Sequence, residues 1–243
     1  MRPVGRAALV IDGIDGSGKS MLTARLAAAV RAAGVGAVVL AVDDFRRPVD
    51  WQLAGSGQRT EADLYYDDYY DLPLLDRCLN AFITGEPFVD IPVFDAASYR
   101  LDGQRRISFE GANLALLEGV FALRIPSAAA NAAVIYLRTS FAAAERRVFA
   151  RDTARGRSAD DVNHRIHARY FPAQERYLGA CDPVARADVL IDNEDWRSPS
   201  LLRIDADALR SKLGRSAGDD LTSLLSDVLS GVLGDFASSR TVG

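Results

Sequence analysis

A lysine and a serine behind a run of glycines carry the first chemistry this chain could perform. Residues 13–20 read GIDGSGKS, the pattern of a loop that wraps a phosphate chain. Glycines let the backbone curl so that successive N–H groups face inward, and a helix behind them adds its positive end. Lys19 can reach the outer phosphates, and the Ser20 hydroxyl suits a magnesium ion. The expected nucleotide-binding residues are therefore Gly13, Asp15, Gly16, Ser17, Gly18, Lys19, Ser20 and Met21. Carboxylates come next. Asp43-Asp44 and Glu118 each follow an apolar run. Phosphoryl transfer needs a carboxylate to orient an attacking hydroxyl and a metal site beside the phosphates. Asp43 is placed for the first role and Glu118, with Ser20, for the second. Asp44 competes with Asp43; a strand running through both would point them to opposite faces. Arginines are the third feature. Arg146, Arg147, Arg151, Arg155 and Arg157 crowd one segment of an otherwise acidic chain. Arg147 and Arg151 share a helix face, and Arg155 and Arg157 flank Gly156. A lid over about residues 145–160 is expected, with Arg151 and Arg157 catalytic and Arg155 on the nucleotide.

These residues must be held by something. Apolar runs without alternation at Ala7–Ile11, Ala37–Val42, Leu114–Leu117, Ala132–Leu137 and Val189–Ile191 suit parallel strands covered on both faces. Helical spacing lies between them, in Met21–Ala33, from Pro73 to before Gly85, and from Ser140 to Arg151. A further helix starts near Ser158, with Pro172 expected to end or kink it. The pattern predicts one α/β domain over residues 1–197 with a central parallel sheet. Ligands in such sheets sit beyond the carboxyl ends of the strands, where the loop, Asp43 and Glu118 all fall. Two long excursions, 44–72 and 86–110, are expected to build the acceptor pocket. Residues 198–243 read as a helical extension, with a stripe at Leu221, Leu224, Leu225, Val228, Leu229 and Val232 and a disordered end from Ser238. Core packing or a contact between copies explains that stripe better than a membrane does.

The 243 residues suffice for one substantial core. A net charge of -4 and the lack of a long basic run argue against nucleic acid as a partner. No apolar run is long enough to span a bilayer, and a cytoplasmic protein is expected. Cys78 and Cys181 give no disulfide framework or metal spacing. His164 and His167 read as a polar helix face, and Trp51 and Trp196 as packing residues with adenine stacking as the alternative.

Seven segments in order, GIDGSGKS, VDDFRRP, YYDDYYDLPLL, IPVFDAASYR, LLEGV, RDTARGR and FPAQERY, are similar to the uridine kinase and phosphoribulokinase family, across roughly residues 5–193. The resemblance implies a P-loop NTPase fold with a five-stranded parallel sheet flanked by helices, and transfer of the ATP γ-phosphate to a small-molecule hydroxyl with Mg²⁺. It implies Asp43 as the catalytic aspartate, Glu118 as the magnesium-associated glutamate, and Arg151, Arg155 and Arg157 in the lid. It also implies an acid of the acceptor pocket at Asp67 or Asp68, and a nucleoside border at Phe94-Asp95. Tyr66 and its neighbouring tyrosines could stack on a base. The chain departs from the nucleoside kinases at three places. Ser98-Tyr99 stand where a histidine is usual, Phe94 replaces a tyrosine, and Arg46-Arg47 follow Phe45. A nucleoside such as uridine is the expected acceptor, since the acids at 61–71 would repel an anion. Pantothenate, glycerate or a sugar is the alternative. A regulatory nucleotide-binding protein is the non-kinase alternative, although the N-K-x-D motif of a GTPase is missing from the sequence.

Overall fold

The apolar runs become strands of one sheet. In chain order they are β1 (Ala7–Asp12), β2 (Ala37–Ala41), β3 (Phe88–Asp95), β4 (Arg100–Ser108), β5 (Leu114–Glu118), β6 (Ala133–Arg138), β7 (Val189–Asp192) and β8 (Ser200–Ile204). This is a computed structural model, and it describes residues 5–217 together with 223, 225, 227 and 229–231. The main sheet runs β2-β5-β1-β6-β7-β8. Its first five members are parallel, in the register Val10↔Leu117 and Val10↔Val134 at the centre. β8 is antiparallel to β7.

The lack of alternation in these runs has a direct cause, for both faces are covered. On β1, Ala8 and Val10 enter one apolar layer while Ala7, Leu9 and Ile11 enter the other. Helix α1 (Lys19–Ala32) lies on the second face through Leu22, Leu26 and Val30. The first face is covered by α3 (Glu61–Asp67), α4 (Leu72–Thr84), α5 (Pro126–Asn131) and α8 (Phe171–Cys181); α2 (Gln52–Gly55) lies in the loop before α3. Asp71 caps α4 by accepting from the Leu74 amide at 2.9 Å, with Pro73 in the first turn. A third cluster of Ile14, Ala144, Val148, Val162, Ile166 and Phe171 sits under the arginine segment. There α6 (Phe141–Ala154) turns at Gly156 into α7 (Ala159–Arg165). Pro172 neither ends nor sharply breaks the next helix. A π-helical stretch at Ile166–Tyr170 precedes it and runs without a break into α8, so the proline sits just past a local widening of the helix. The short α9 (Pro183–Arg186) leads to β7.

Two expectations are corrected. The sheet has a sixth strand, β8, in the segment read as helical from residue 198, and only then does α10 (Ala206–Ala217) begin. The strand's side chains are exposed at every position, and Leu201, Leu202 and Ile204, interrupted by Arg203, do not form the unbroken apolar run of a strand buried on both faces. Of the terminal stripe, Leu225 and Leu229 are buried in the same layer as α1. Leu221, Leu224, Val228, Val232 and residues 238–243 lie outside the described residues. The excursion at 86–110 is the β3–β4 hairpin, apart from the main sheet. Among the described residues, no helix is long and apolar enough to cross a membrane.

Candidate active site

The carboxyl ends of β1, β2 and β5 meet over one cleft of about 550 Å³. Its walls include Asp15, Gly16, Gly18, Lys19, Ser20, Met21, Asp43, Glu118, Arg151 and Arg155, all singled out by the sequence. The loop between β1 and α1 is held open by glycine. Gly16 has φ +79°, and a Cβ there would stand 2.8 Å from the Ala144 carbonyl oxygen. The loop thus packs directly on α6, which carries the arginines. Lys19 Nζ donates to the Ile14 carbonyl at 2.8 Å and is buried, so its charge points across the loop.

Adjacent acids at 43 and 44 are separated by a turn, not by strand alternation. β2 ends at Ala41, and Val42–Phe45 form a 3-10 turn. Asp43 faces the cleft and accepts from the Tyr70 hydroxyl at 2.9 Å. Asp44 pairs outside it with Arg105 at 2.8 Å. The alternative of a strand running through both acids is corrected by this geometry. Gly119, next to Glu118, makes the turn's position possible. It has φ +148°, and a Cβ would stand 2.4 Å from Val42 Cβ.

Glu118 accepts from the Ser20 hydroxyl through both carboxylate oxygens, at 3.1 and 3.2 Å. Burial pushes its carboxyl above the usual range, against the pull of Lys19 and the Ser20 hydrogen bond. Burial likewise raises Asp15, with Lys19 pulling the other way. A hydroxyl and a carboxylate converge here, the hard oxygen donors that magnesium takes, and that ion usually keeps further positions for water and phosphate. The residues fit a magnesium–triphosphate pair.

Some sequence-predicted residues stand elsewhere. Arg157 is held by the buried carboxylate of Asp152 at 2.6 Å, opposite the Arg151–Asp152 contact at 2.7 Å, and is not on the cleft wall. Asp67 and Asp68 are paired with Arg59, and Asp67 also with Arg176 at 3.3 Å. Neither reaches the cleft wall. Tyr66 is buried against Phe121, with the Arg124 guanidinium 3.6 Å from its ring centroid. Phe94 packs on Tyr99 in the hairpin, and Asp95 accepts from the amides of Ala97 and Ser98. His164 and His167 bond Glu61 and Glu145 respectively. Trp51 donates to the Tyr99 hydroxyl at 2.6 Å, beneath Arg169.

Asn193 and Gln174 escaped the sequence reading, which names Arg147 and Trp196 but not among the expected site residues. Asn193, just past β7, donates to the Ser17 carbonyl at 2.6 Å. Arg147 donates to the carbonyls of Gly16, Asn193 and Glu194 at 3.2, 2.8 and 2.8 Å, tying the loop to the segment after β7. Trp196, 43% exposed, forms part of the wall. The position of Asn193 at a strand's carboxyl end was the available signal. Gln174 on α8 grips the loop from the other side, bonding Asp15 at 2.6 Å.

The family model for the phosphoribulokinase / uridine kinase family matches residues 9–195, well over half of the chain. The chain belongs to this family. Membership makes it a P-loop kinase of small molecules, in keeping with the cleft. Its fold recurs in solved structures. A possible uridine kinase from Bacillus stearothermophilus is 22% identical, with 78% of this chain and 90% of that one covered and a TM-score of 0.58. A protein provisionally named a fructose transport system kinase, from Silicibacter sp. TM1040, is 24% identical over 74% and 88% of the two chains, with a TM-score of 0.57. The D-glycerate 3-kinase of Cryptococcus neoformans is 13% identical over 83% and 91%, with a TM-score of 0.53. The three are named as three different kinases. No curated protein matches the chain.

Proposed function

We propose that this family member transfers the γ-phosphate of ATP, held with Mg²⁺, to a hydroxyl of a small uncharged polyol, a nucleoside such as uridine being the favoured case. The observation that carries the reading is the meeting of Asp43, Lys19, Ser20 and Glu118 around one cleft. The loop amides and Lys19 would hold the phosphates, and Ser20 with Glu118 would hold the metal, which neutralises charge on the β- and γ-phosphates when bound. Asp43 takes the proton of the attacking hydroxyl, and Arg151 and Arg155, which line the cleft from α6 and the turn after it, would meet the transferred group.

An uncharged acceptor is favoured by the acids on the acceptor side. Asp15 and Asp43 line the cleft together with Tyr70, and an anion placed beside those carboxylates would be repelled. The fit of a carboxylate to vicinal hydroxyls supports a ribose-like edge. The named neighbours do not choose among nucleoside, sugar and glycerate.

The test is a panel of uridine, cytidine, pantothenate, glycerate and free sugars, each with ATP and magnesium, read by ADP release and by phosphorus NMR of the product. Acceptor-dependent ADP release with uridine or another uncharged polyol is expected. Release at one rate whatever is added would sink the kinase reading, and turnover confined to glycerate or pantothenate would replace the acceptor class.

A further inference from the structure

Asp43 and Asp15 stand on different elements, yet a line of hydroxyls joins them. The Tyr70 hydroxyl donates to Asp43 Oδ1 at 2.9 Å. It lies 3.4 Å from the Tyr65 hydroxyl, which donates to Asp15 Oδ2 at 3.1 Å. Both tyrosines are buried, with their rings edge-on to Phe121 at 5.5 and 6.3 Å between centroids. Neither phenol can swing far in such packing. We infer that Tyr70 is the positioning residue of Asp43, and that Tyr65 ties this pair to the phosphate loop through Asp15. The inference rests on the kinase reading for its role in turnover, but not for its geometry.

The proton count gives the line a direction. Each phenol brings one proton, and three links must be made. With both carboxylates ionised, the two protons serve the two outer links and the middle one has none. The distances agree, since the outer links are 2.9 and 3.1 Å and the middle one is 3.4 Å. When the acceptor oxygen attacks the phosphorus, its O–H bond breaks and the proton passes to Asp43. That third proton arrives on the oxygen facing the acceptor, and once a half-turn of the carboxyl group about Cβ–Cγ brings it round to the phenol, Asp43 donates to Tyr70, Tyr70 to Tyr65 and Tyr65 to Asp15. Taking up the proton therefore closes the middle link. The relay fixes the carboxylate before transfer, with Oδ1 engaged and the other oxygen left for the acceptor, and it stabilises the protonated carboxyl afterwards. Burial that raises the Asp15 carboxyl fits its place as the far acceptor.

The first test needs no acceptor. Protein carrying ¹³C at the tyrosine ζ carbon is assigned for Tyr65 and Tyr70 by the signals lost in Tyr65→Phe and Tyr70→Phe. Asp43→Ala should move both resonances, and should no longer move that of Tyr65 when Tyr70→Phe is also present. Asp15→Asn should move Tyr70 only while Tyr65 is intact. A Tyr65 signal indifferent to Asp43→Ala overturns the relay. The second test is kinetic, with whichever panel member is turned over. Tyr70→Phe should lower kcat roughly 10- to 100-fold, the loss of one hydrogen bond to a charged group. The KM for ATP and the thermal midpoint should stay as in the wild type. An unchanged kcat, or a loss that follows the thermal midpoint, overturns the positioning role. Should no acceptor be turned over, the kinase reading fails, and the NMR arm still decides the relay.

Discussion

Neighbouring carboxylates at 43 and 44 meet different partners, and that difference is what makes one of them a base. Asp44 is neutralised by Arg105, while Asp43 has a phenol on one oxygen and the cleft before it. Asp43→Asn keeps the shape and removes the proton acceptor. Turnover should fall by about 10²–10⁴-fold with ATP affinity held within about twofold, as read by ADP release and calorimetric titration. Asp44→Asn should leave turnover close to the wild type, and the reverse pattern would reassign the base. A second acid, Asp12, lies beneath the loop, wholly buried. Burial raises its carboxyl from 3.8 to about 6, although Tyr177 donates to it at 2.5 Å and the Gly13 amide at 2.7 Å. Because the folded value is the higher, the native state binds the extra proton between these limits. The stability it brings is full below about 3.8 and is lost as pH rises through about 6. The loss is on the order of 3 kcal/mol, the free energy that separates a carboxyl at 3.8 from one at about 6. Asp12→Asn stays neutral at every pH. Its stability relative to the wild type, from urea unfolding at pH 4, 5, 6 and 7, should therefore improve as pH rises. A difference that stays level across that range would mean Asp12 keeps its ordinary value.

At the scale of elements, the site depends on where strands stop. Five strands were legible because two-sided burial writes itself as an unbroken apolar run, seen in the Ala-Ala-Leu-Val-Ile of β1. The loop and Glu118 followed, since each sits where a run ends. The choice between Asp43 and Asp44 was not legible, because strand alternation gives no guide inside a 3-10 turn. Nor was the fate of Asp67, whose partner Arg176 lies about a hundred residues further along the chain. Asn193 and Trp196 carry no motif and gain their place only through packing. The turn bearing Asp43 is seated against β5 by Gly119, and here a single methyl group has a defined effect. Gly119→Ala would thrust a Cβ to 2.4 Å from that of Val42, at a φ of +148° that alanine avoids. Backbone would have to yield, at a cost of about 1–3 kcal/mol in stability. The displaced turn would carry Asp43 away from the phosphate, so kcat should fall at least about 10-fold, since misplacement by an ångström is costly. ATP affinity should change little, because the loop itself is untouched. Wild-type kcat in this variant would show that the turn tolerates movement.

On the scale of the whole molecule, the cleft lies at one edge of a sheet whose opposite requirements are met far away. The layer under α1 is completed by α10 and by Leu225 and Leu229, all beyond the stretch that the family model matches. α10 packs on β1 and β6, the strands flanking the loop's root. Leu209 and Leu213 of α10 are almost wholly buried there, beside Ala7, Leu9 and Ala133. Among the described residues after 197, α10 with Leu225 and Leu229 thus serves the core rather than the chemistry. Leu213→Ala separates the two. It removes a fully buried side chain from between helix and sheet, and such truncations cost about 2–5 kcal/mol according to how far the site can collapse. The denaturant midpoint should fall accordingly, while kcat and the KM for ATP, measured well below the melting range, should remain those of the wild type. No part of the cleft wall belongs to α10. A selective loss of kcat at unchanged stability would instead mean that α10 controls the alignment of β1 and, through it, the phosphate loop.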